Sequence, residues 1–351
     1  MADPGADIVG IRAADVAKWF EANIGGARGP LAFELIAGGH SNLTYKVTDA
    51  DGKDFVLRRP PTGHVLATAH DMAREHKIIS GVARAGGVPV PAALGLCEDV
   101  AVNDAPFYVM SYVEGVVLDT SDKVDEAQLE PAARQGLGEH VVEVLARLHA
   151  IEPDEVGLGD LGRREAYLAR QLKRWRTQWE GSKTRELAIM EEVAAHLEAR
   201  MPDQVGSAIV HGDYRLGNML SSPDGRVAAV LDWELCTLGD PLADLGYIMN
   251  NWVQPGEDAP SNRGAAQAPT TAGGFSTRED FTGRYAQLTG RDVSQVDYYR
   301  AFQYWRLAAI VEGVLNRYLK GVMGGDDVDT DEYTLQVEAL AEAAHDLVKT
   351  G

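Results

Sequence analysis

The sequence predicts an α+β protein in two lobes, a small antiparallel β-sheet lobe followed by a larger, mainly helical one. Three observations carry this. Between Phe33 and Arg58 the apolar residues alternate with polar ones at a period of two, as in half-buried strands. From Pro131 onward they recur at three- and four-residue steps, as on helices. A single loop-and-strand stretch, His211 to Glu234, interrupts the helical half with polar residues at fixed positions. On this reading residues 1–110 form the first lobe, 111–115 a hinge, and 116–351 the second lobe.

Taken in order, Arg12 to Ile24 is a short amphipathic helix carrying Val16, Trp19, Phe20 and Ile24 on one face, closed by Gly25-Gly26. It is expected to pack on the outside of the first lobe without a chemical role. Phe33 to Ala37, Leu43 to Thr48 and Phe55 to Arg58 read as strands, the last two joined by an Ala50-Asp51-Gly52 turn. Between the first two lies Gly38-Gly39-His40-Ser41-Asn42, a turn able to lay backbone N–H groups over phosphates, or a plain hairpin. Ala69 to Ala85 is a helix with Met72, Ile79 and Val82 along one face, and Val88-Pro89-Val90-Pro91 breaks it. Strands follow at Ala93 to Cys97 and Phe107 to Val113. Pro131 to Ile151 is a core helix bearing Val142, Leu145 and Leu148, with His149 in a structural position. Further helices are expected at Glu186 to Arg200, Tyr298 to Lys320 and Glu332 to Lys349. Gln254 to Phe275, rich in Gly, Pro, Ala and Ser, is too poor in apolar surface to pack and reads as a mobile loop: a substrate lid or an insertion without a role.

Composition narrows the function classes. A hydrophobic content of 45% and a charged content of 25% are ordinary for a soluble globular protein. A net charge of −20 argues against nucleic acid as a partner, because phosphate backbones are bound by clustered Lys and Arg. No apolar run approaches the roughly 20 residues of a membrane span, and the start lacks the pattern of a signal peptide. Two cysteines far apart, Cys97 and Cys236, suggest free thiols in a reducing compartment, so a cytoplasmic protein is expected.

The chemistry concentrates in His211-Gly212-Asp213-Tyr214-Arg215-Leu216-Gly217-Asn218, followed by a Pro223-Asp224-Gly225 turn, the apolar strand Val227 to Leu231, and Asp232-Trp233-Glu234. Each acid alone reads as a capped turn or a loop residue. Together they form a phosphoryl-transfer set. That reaction asks the protein for a nucleophile aimed at the γ-phosphate and for hard oxygen ligands to Mg²⁺. Protein kinases use the same order: an Asp that accepts the hydroxyl proton, an Asn five residues on, then an Asp that bridges Mg²⁺ to ATP. Downstream, Asp240 is placed to cap a helix that Pro241 opens.

These motifs, with Leu238-Gly239-Asp240-Pro241-Leu242-Ala243-Asp244-Leu245, resemble the aminoglycoside phosphotransferase and choline kinase superfamily. Within it, the chain is most similar to phosphotransferase domains associated with acyl-CoA dehydrogenases, over about residues 30–320. The motifs are specific for the superfamily and much less so for substrate. The resemblance implies a protein-kinase-like fold with ATP and Mg²⁺ as cofactors. Asp213 would be the catalytic base, with His211 and Arg215 orienting its loop. Asn218 and Asp232 would hold the metal, and Asp240 and Asp244 would brace the loop. Phe55 to Arg58 occupies the place of the kinase strand that carries the phosphate-binding Lys, so Arg58 would hold the α and β phosphates. Arg59 would point to the opposite face, where a solvated arginine is the competing reading. Glu75 could pair with Arg58 or stand alone on the surface. Gly38, Gly39, Ser41 and Asn42 would cover the phosphates, while Met110 and Tyr112, at the hinge, would meet the adenine.

For the acceptor, a small-molecule hydroxyl, the informative stretch is Arg163 to Arg185, with eight basic and two acidic residues in an otherwise acidic chain. A solvated helix face would explain it. An anion-steering site explains it against this background, and Arg170, Arg174 and Glu234 are candidate substrate residues. A hydroxy acid or hydroxyacyl-CoA is therefore the first choice, with an aminoglycoside or amino alcohol second. A nucleotide-binding pseudokinase is the alternative of another class, and the joint presence of Asp213, Asn218 and Asp232 weighs against it. A dehydrogenase has no dinucleotide fingerprint in its support.

Overall fold

The computed structural model describes residues 8–37, 42–62, 71–257, 260, 268–321 and 329–350. The chain divides into two compact units. The first comprises Met1–Glu114 together with Val156–Leu158 and Ala228–Glu234, and the second the remainder.

The first unit opens with α1 (Ala13–Asn23) and strands β1 (Ala32–Ala37), β2 (Leu43–Thr48) and β3 (Asp54–Arg59). It continues through α2 (Met72–Ala85), β4 (Ala93–Cys97), a single turn α3 (Val100–Asn103) and β5 (Phe107–Ser111). The strands form one antiparallel sheet in the order β1-β2-β3-β5-β4. Alternation sends Val47, Phe55, Leu57 and Val109 to one face, where Val16 and Phe20 of α1 cover them. Trp19 meets Phe107 edge-on at 4.9 Å and Phe20 meets Phe55 at 5.9 Å, so α1 closes this core. Asp71 caps α2 by accepting from the Arg74 N–H at 2.9 Å. The expected start of that helix at Ala69 lies outside the described residues, and β5 ends two residues before the expected Val113.

Arg59 corrects the sequence reading. It is not solvated: only 5% exposed, it donates to the carbonyls of Pro60, Gly10 and Asn103. The guanidinium satisfies orphan carbonyls of the N-terminal turn and of α3, a buried structural use.

The second unit contains α4 (Ser121–Glu126), α5 (Pro131–Leu148), α6 (Tyr167–Ser182) and α7 (Ala188–Ala199). Then come β6 (Ala208–Val210), β7 (Met219–Ser222) and β8 (Arg226–Val230), with the unit boundary falling inside β8, and β9 (Thr237–Gly239). Helices α8 (Leu242–Asn251), α9 (Arg278–Thr289), α10 (Val296–Leu319) and α11 (Thr330–Thr350) complete it. The long α10 is its spine, touching α6, α7, α8 and α11, with Tyr299, Phe302, Trp305 and Leu315 buried along it. At Gly246 α8 comes so close to α10 that a Cβ there would sit 2.6 Å from Tyr299 Cβ. Short β6 pairs antiparallel with β9, which frames both ends of the segment that carries Asp213.

Gln254 to Phe275 is a second correction. Residues 258–259 and 261–267 lie outside the described residues, but Pro269–Ala272 forms a 3₁₀ turn with Ala268 and Thr270 buried. Thr270 donates to the Val253 carbonyl at 2.7 Å, and Arg134 donates to Ala272 O at 2.9 Å. Hydrogen bonding from α5 supplies the anchorage that local apolar content does not reveal.

Candidate active site

In the first unit the cation of β3 gathers acids. Arg58 and Glu75 form a buried ion pair at 3.1 Å, with side chains 12% and 2% exposed. Arg58 Nη2 donates to Asp232 Oδ1 at 2.8 Å and lies 3.9 Å from Glu234. Asn42 donates to Glu75 Oε1 at 3.0 Å and to Glu234 Oε2 at 3.4 Å. The Tyr108 hydroxyl, across the strand pair from Arg58, donates to Glu75 Oε2 at 3.1 Å. Burial pulls the Arg58 guanidinium down, but Glu75, Asp232 and Glu234 more than reverse it, so Arg58 stays cationic. Burial raises Glu75, and Arg58 opposes that rise. Asp232 has a φ of 62°, in the left-handed region, where Asp is tolerated at a cost of roughly 1–3 kcal/mol. It uses one carboxylate oxygen on Arg58, and the other has no partner among the described residues.

The same unit carries Met110, buried on β5 opposite Val56, and Tyr112, half exposed beneath the Lys46 ammonium at 4.7 Å. Gly38, Gly39 and Ser41 lie outside the described residues.

In the second unit the loop after β6 is built around Asp213. Asn218 Nδ2 donates to Asp213 Oδ2 at 2.6 Å and to its carbonyl at 2.9 Å. Arg215 Nε donates to Asp213 Oδ1 at 3.3 Å. The carboxylate is thus fixed by two side chains of its own loop while remaining 22% exposed. The Asp213 N–H donates to His211 Nδ1 at 3.2 Å, and His211 itself is fully buried. At Gly212, φ is 87° and a Cβ would meet Leu235 O at 2.9 Å, so this position requires glycine.

A buried support runs beneath the loop. Asp244, in the first turn of α8, accepts from the His211 N–H at 2.7 Å and from the Gly212 N–H at 2.8 Å. His149 Nε2 lies 3.2 Å from the same carboxylate, and its Nδ1 lies 2.8 Å from the Tyr285 hydroxyl. One arrangement satisfies every group: Tyr285 O–H donates to Nδ1, and Nε2–H donates to Asp244. That is the neutral imidazole, in agreement with the lowering of His149 by burial. Asp240 acts elsewhere, accepting from the Leu242 N–H and the Tyr299 hydroxyl, and so ties α8 to α10.

The basic stretch looks different folded. Arg164, Arg176, Lys183 and Arg185 each face carboxylates, from Glu152 and Asp154 to Glu312 and Glu338. Half of the eight cations read along the sequence are therefore neutralised locally. Arg170, which donates to the Arg163 carbonyl, and Arg174, stacked at 5.4 Å on Trp175, have no such partner among the described residues.

Residues that sequence reasoning missed are Tyr108 and Tyr247. Register could have found Tyr108, since it faces Arg58 across β3 and β5. Tyr247, one turn after Asp244, is a phenol raised by burial and by the nearby Asp213 carboxylate.

Residues 32–279 match the model of the phosphotransferase enzyme family (APH). The chain belongs to this family. Among relatives of this phosphotransferase, acyl-CoA dehydrogenase family member 10 of Mus musculus is 34% identical over 320 residues, covering 91% of the chain and 29% of the relative. Acyl-CoA dehydrogenase family member 11 of Gallus gallus is 32% identical, covering 92% and 41%. The phosphotransferase thus spans well under half the length of these relatives. A solved Ralstonia eutropha protein assigned as an aminoglycoside phosphotransferase is 31% identical, with a TM-score of 0.80, covering 96% of this chain and 98% of that one. A thermostable mutant of the aminoglycoside phosphotransferase APH(4)-Ia, solved in ternary complex with AMP-PNP and hygromycin B, shares the fold at a TM-score of 0.61 and 16% identity, covering 94% and 98%. The two-lobed, kinase-like fold class expected from the sequence is therefore the one found.

Proposed function

We propose that this phosphotransferase moves the γ-phosphate of Mg²⁺·ATP to a hydroxyl of a small molecule. The observation that carries the proposal is the loop carboxylate Asp213, held at both oxygens and still partly open, on a buried three-residue support. Asp213 receives the hydroxyl proton of the acceptor, while Asn218 and Arg215 fix its rotamer and Asp244 fixes the backbone beneath it. Arg58, kept cationic and oriented by Glu75, is assigned the α and β phosphates. Gly38, Gly39, Ser41 and Asn42 complete the nucleotide set, with Met110 and Tyr112 for the adenine and residues 111–115 as the hinge. Glu234 is reassigned from the acceptor to this set, since it lies with Asn42 and Arg58.

The donors fit magnesium. Asn218 spends its NH₂ on Asp213, leaving the amide oxygen; Asp232 spends one oxygen on Arg58 and leaves the other. Both are hard oxygens of the kind Mg²⁺ takes alongside phosphates and water. When bound, the ion would neutralise charge that develops on the phosphates.

For the acceptor the preferred class is a hydroxy acid or hydroxyacyl-CoA. The relatives' names and the unpaired arginines of α6 support it. A cationic acceptor such as an aminoglycoside has one observation in its favour, a cavity of about 670 Å³ whose lining includes Glu139, Glu143 and Asp280. Arg284 already pairs with Glu143 there, and no catalytic-loop residue lines it. The deciding experiment measures ATP consumption by the purified chain against hydroxy acids, hydroxyacyl-CoAs and amino alcohols, with Asp213→Asn beside the wild type. Turnover that survives Asp213→Asn would refute the assignment of the base.

A further inference from the structure

Once the ion-paired Arg176 is set aside, Arg170 and Arg174 remain as the arginines of α6, and Arg174 shares a ring with a cation from another helix. The Arg174 guanidinium lies over the Trp175 ring at 5.4 Å, and that of Arg306, arriving from α10, lies over the same ring at 5.3 Å. Arg306 donates to Gln303 Oε1 at 2.9 Å and has a buried Nε without a hydrogen-bond partner. Arg170 is alike: Nη2 donates to a carbonyl and Nη1 is buried without a partner. Among the described residues no carboxylate pairs with any of the three, in a chain with 53 acids and 33 Lys and Arg.

Their surroundings point toward the base. Arg306 and Arg170 both act on the Tyr167 hydroxyl, which burial and nearby carboxylates push up to about 12 against them. Arg306 also acts on Tyr247, the phenol next to Asp213. A guanidinium cannot shed its proton, so a buried N–H without an acceptor is a standing cost that an incoming oxygen anion removes. Packing on Trp175 holds the planar forks in place, which suits two-point recognition of phosphate or carboxylate.

We propose that Arg170, Arg174 and Arg306 form a docking point for an anionic group of the phosphoryl acceptor, a phosphate or a carboxylate. The cluster thereby sets acceptor specificity, and in this it rests on the phosphotransferase reading. Arg306 carries the most weight because it brings a cation to α6 from a distant helix.

The test titrates the intact protein with inorganic pyrophosphate and with tricarballylate by calorimetry, with Mg²⁺·AMP-PNP present to fill the nucleotide set, in wild type, Arg306→Gln, Arg170→Gln and the exposed Arg28→Gln. The expected result is a dissociation constant raised about tenfold by Arg306→Gln and by Arg170→Gln, as for the loss of one charge-assisted contact, and unchanged in Arg28→Gln. Tighter binding of pyrophosphate indicates a phosphate-bearing acceptor, and tighter binding of tricarballylate a free carboxylate. Binding of neither anion overturns the proposal, as does an equal loss in Arg28→Gln. Should a variant fail to fold, phenylglyoxal labelling of the native protein replaces it: the better-bound anion must slow modification of Arg170 and Arg306, and equal labelling overturns the site. Binding of Mg²⁺·AMP-PNP is measured in parallel. Its absence from the wild type would sink the phosphotransferase reading while leaving the anion titration decisive for the cluster.

Discussion

Asp244→Asn tests whether the buried carboxylate under the His211–Asn218 loop is what holds Asp213 in place. Asp244 is fully buried and accepts three contacts: from His211 N–H at 2.7 Å, Gly212 N–H at 2.8 Å and His149 at 3.2 Å. A hydrogen bond to a charged acceptor is worth about 1.5–3 kcal/mol. Asparagine keeps one acceptor oxygen and turns an NH₂ toward the other donor, so one strong bond is lost and a donor faces a donor. The expected destabilisation is about 2–4 kcal/mol, read as a lower urea midpoint at unchanged slope. Hydrogen exchange gives the local reading, because the His211 and Gly212 amides should lose protection before the rest of the unit. Since a misplacement of about 1 Å costs roughly 100-fold in rate, kcat should fall by about that much with the ATP KM little changed. Wild-type stability together with undiminished protection of the two amides would refute the reasoning.

Glu75→Gln removes the acid that keeps Arg58 oriented; the ATP KM should rise about tenfold with kcat less affected, and an unchanged KM would contradict the phosphate assignment. His149 sets a pH dependence. Its folded pKa lies below the ordinary value of about 6.5, so the unfolded chain binds the proton first, and its stabilising contribution, present above about pH 6.5, is lost as pH falls. Urea midpoints should therefore drop more steeply from about pH 7 to about pH 5.5 in wild type than in His149→Gln, and equal slopes would contradict the neutral imidazole. Gly246→Ala drives a Cβ to 2.6 Å from Tyr299 Cβ, next to α10 backbone that cannot yield, and should cost about 1–3 kcal/mol in thermal or urea unfolding.

What was legible in the sequence was what lies close along the chain. Asp213, Arg215 and Asn218 sit within one loop, so their spacing alone announced that they could act together, and the structure joins them by hydrogen bonds. The strand pattern gave Arg58 and Arg59 opposite faces correctly, yet it could not say that the second was buried. That depends on the carbonyls of Gly10 and Asn103, one 49 residues before it and the other 44 after. The same limit hid the loop's support. His149 reaches Asp244 across 95 residues and Tyr285 across 136, and nothing local to His149 distinguishes it from any other core histidine.

Charge shows the limit most clearly. Counting along residues 163–185 finds an excess of cations but assigns it to the whole stretch. Folding divides it, because α10 and α11 supply Glu312 and Glu338 to Arg185 while α7 supplies Glu191 and Glu198 to Arg176. The same α10 that neutralises one end with Glu312 adds Arg306 beside Trp175. A helix that delivers an acid to one cation and a further cation to others is not diluting charge evenly; Arg170, Arg174 and Arg306 stay without a carboxylate partner among the described residues. The cluster proposed to meet an anionic acceptor is thus only partly visible along the sequence, since Arg306 joins Arg174 on Trp175 only once α6 and α10 are packed together.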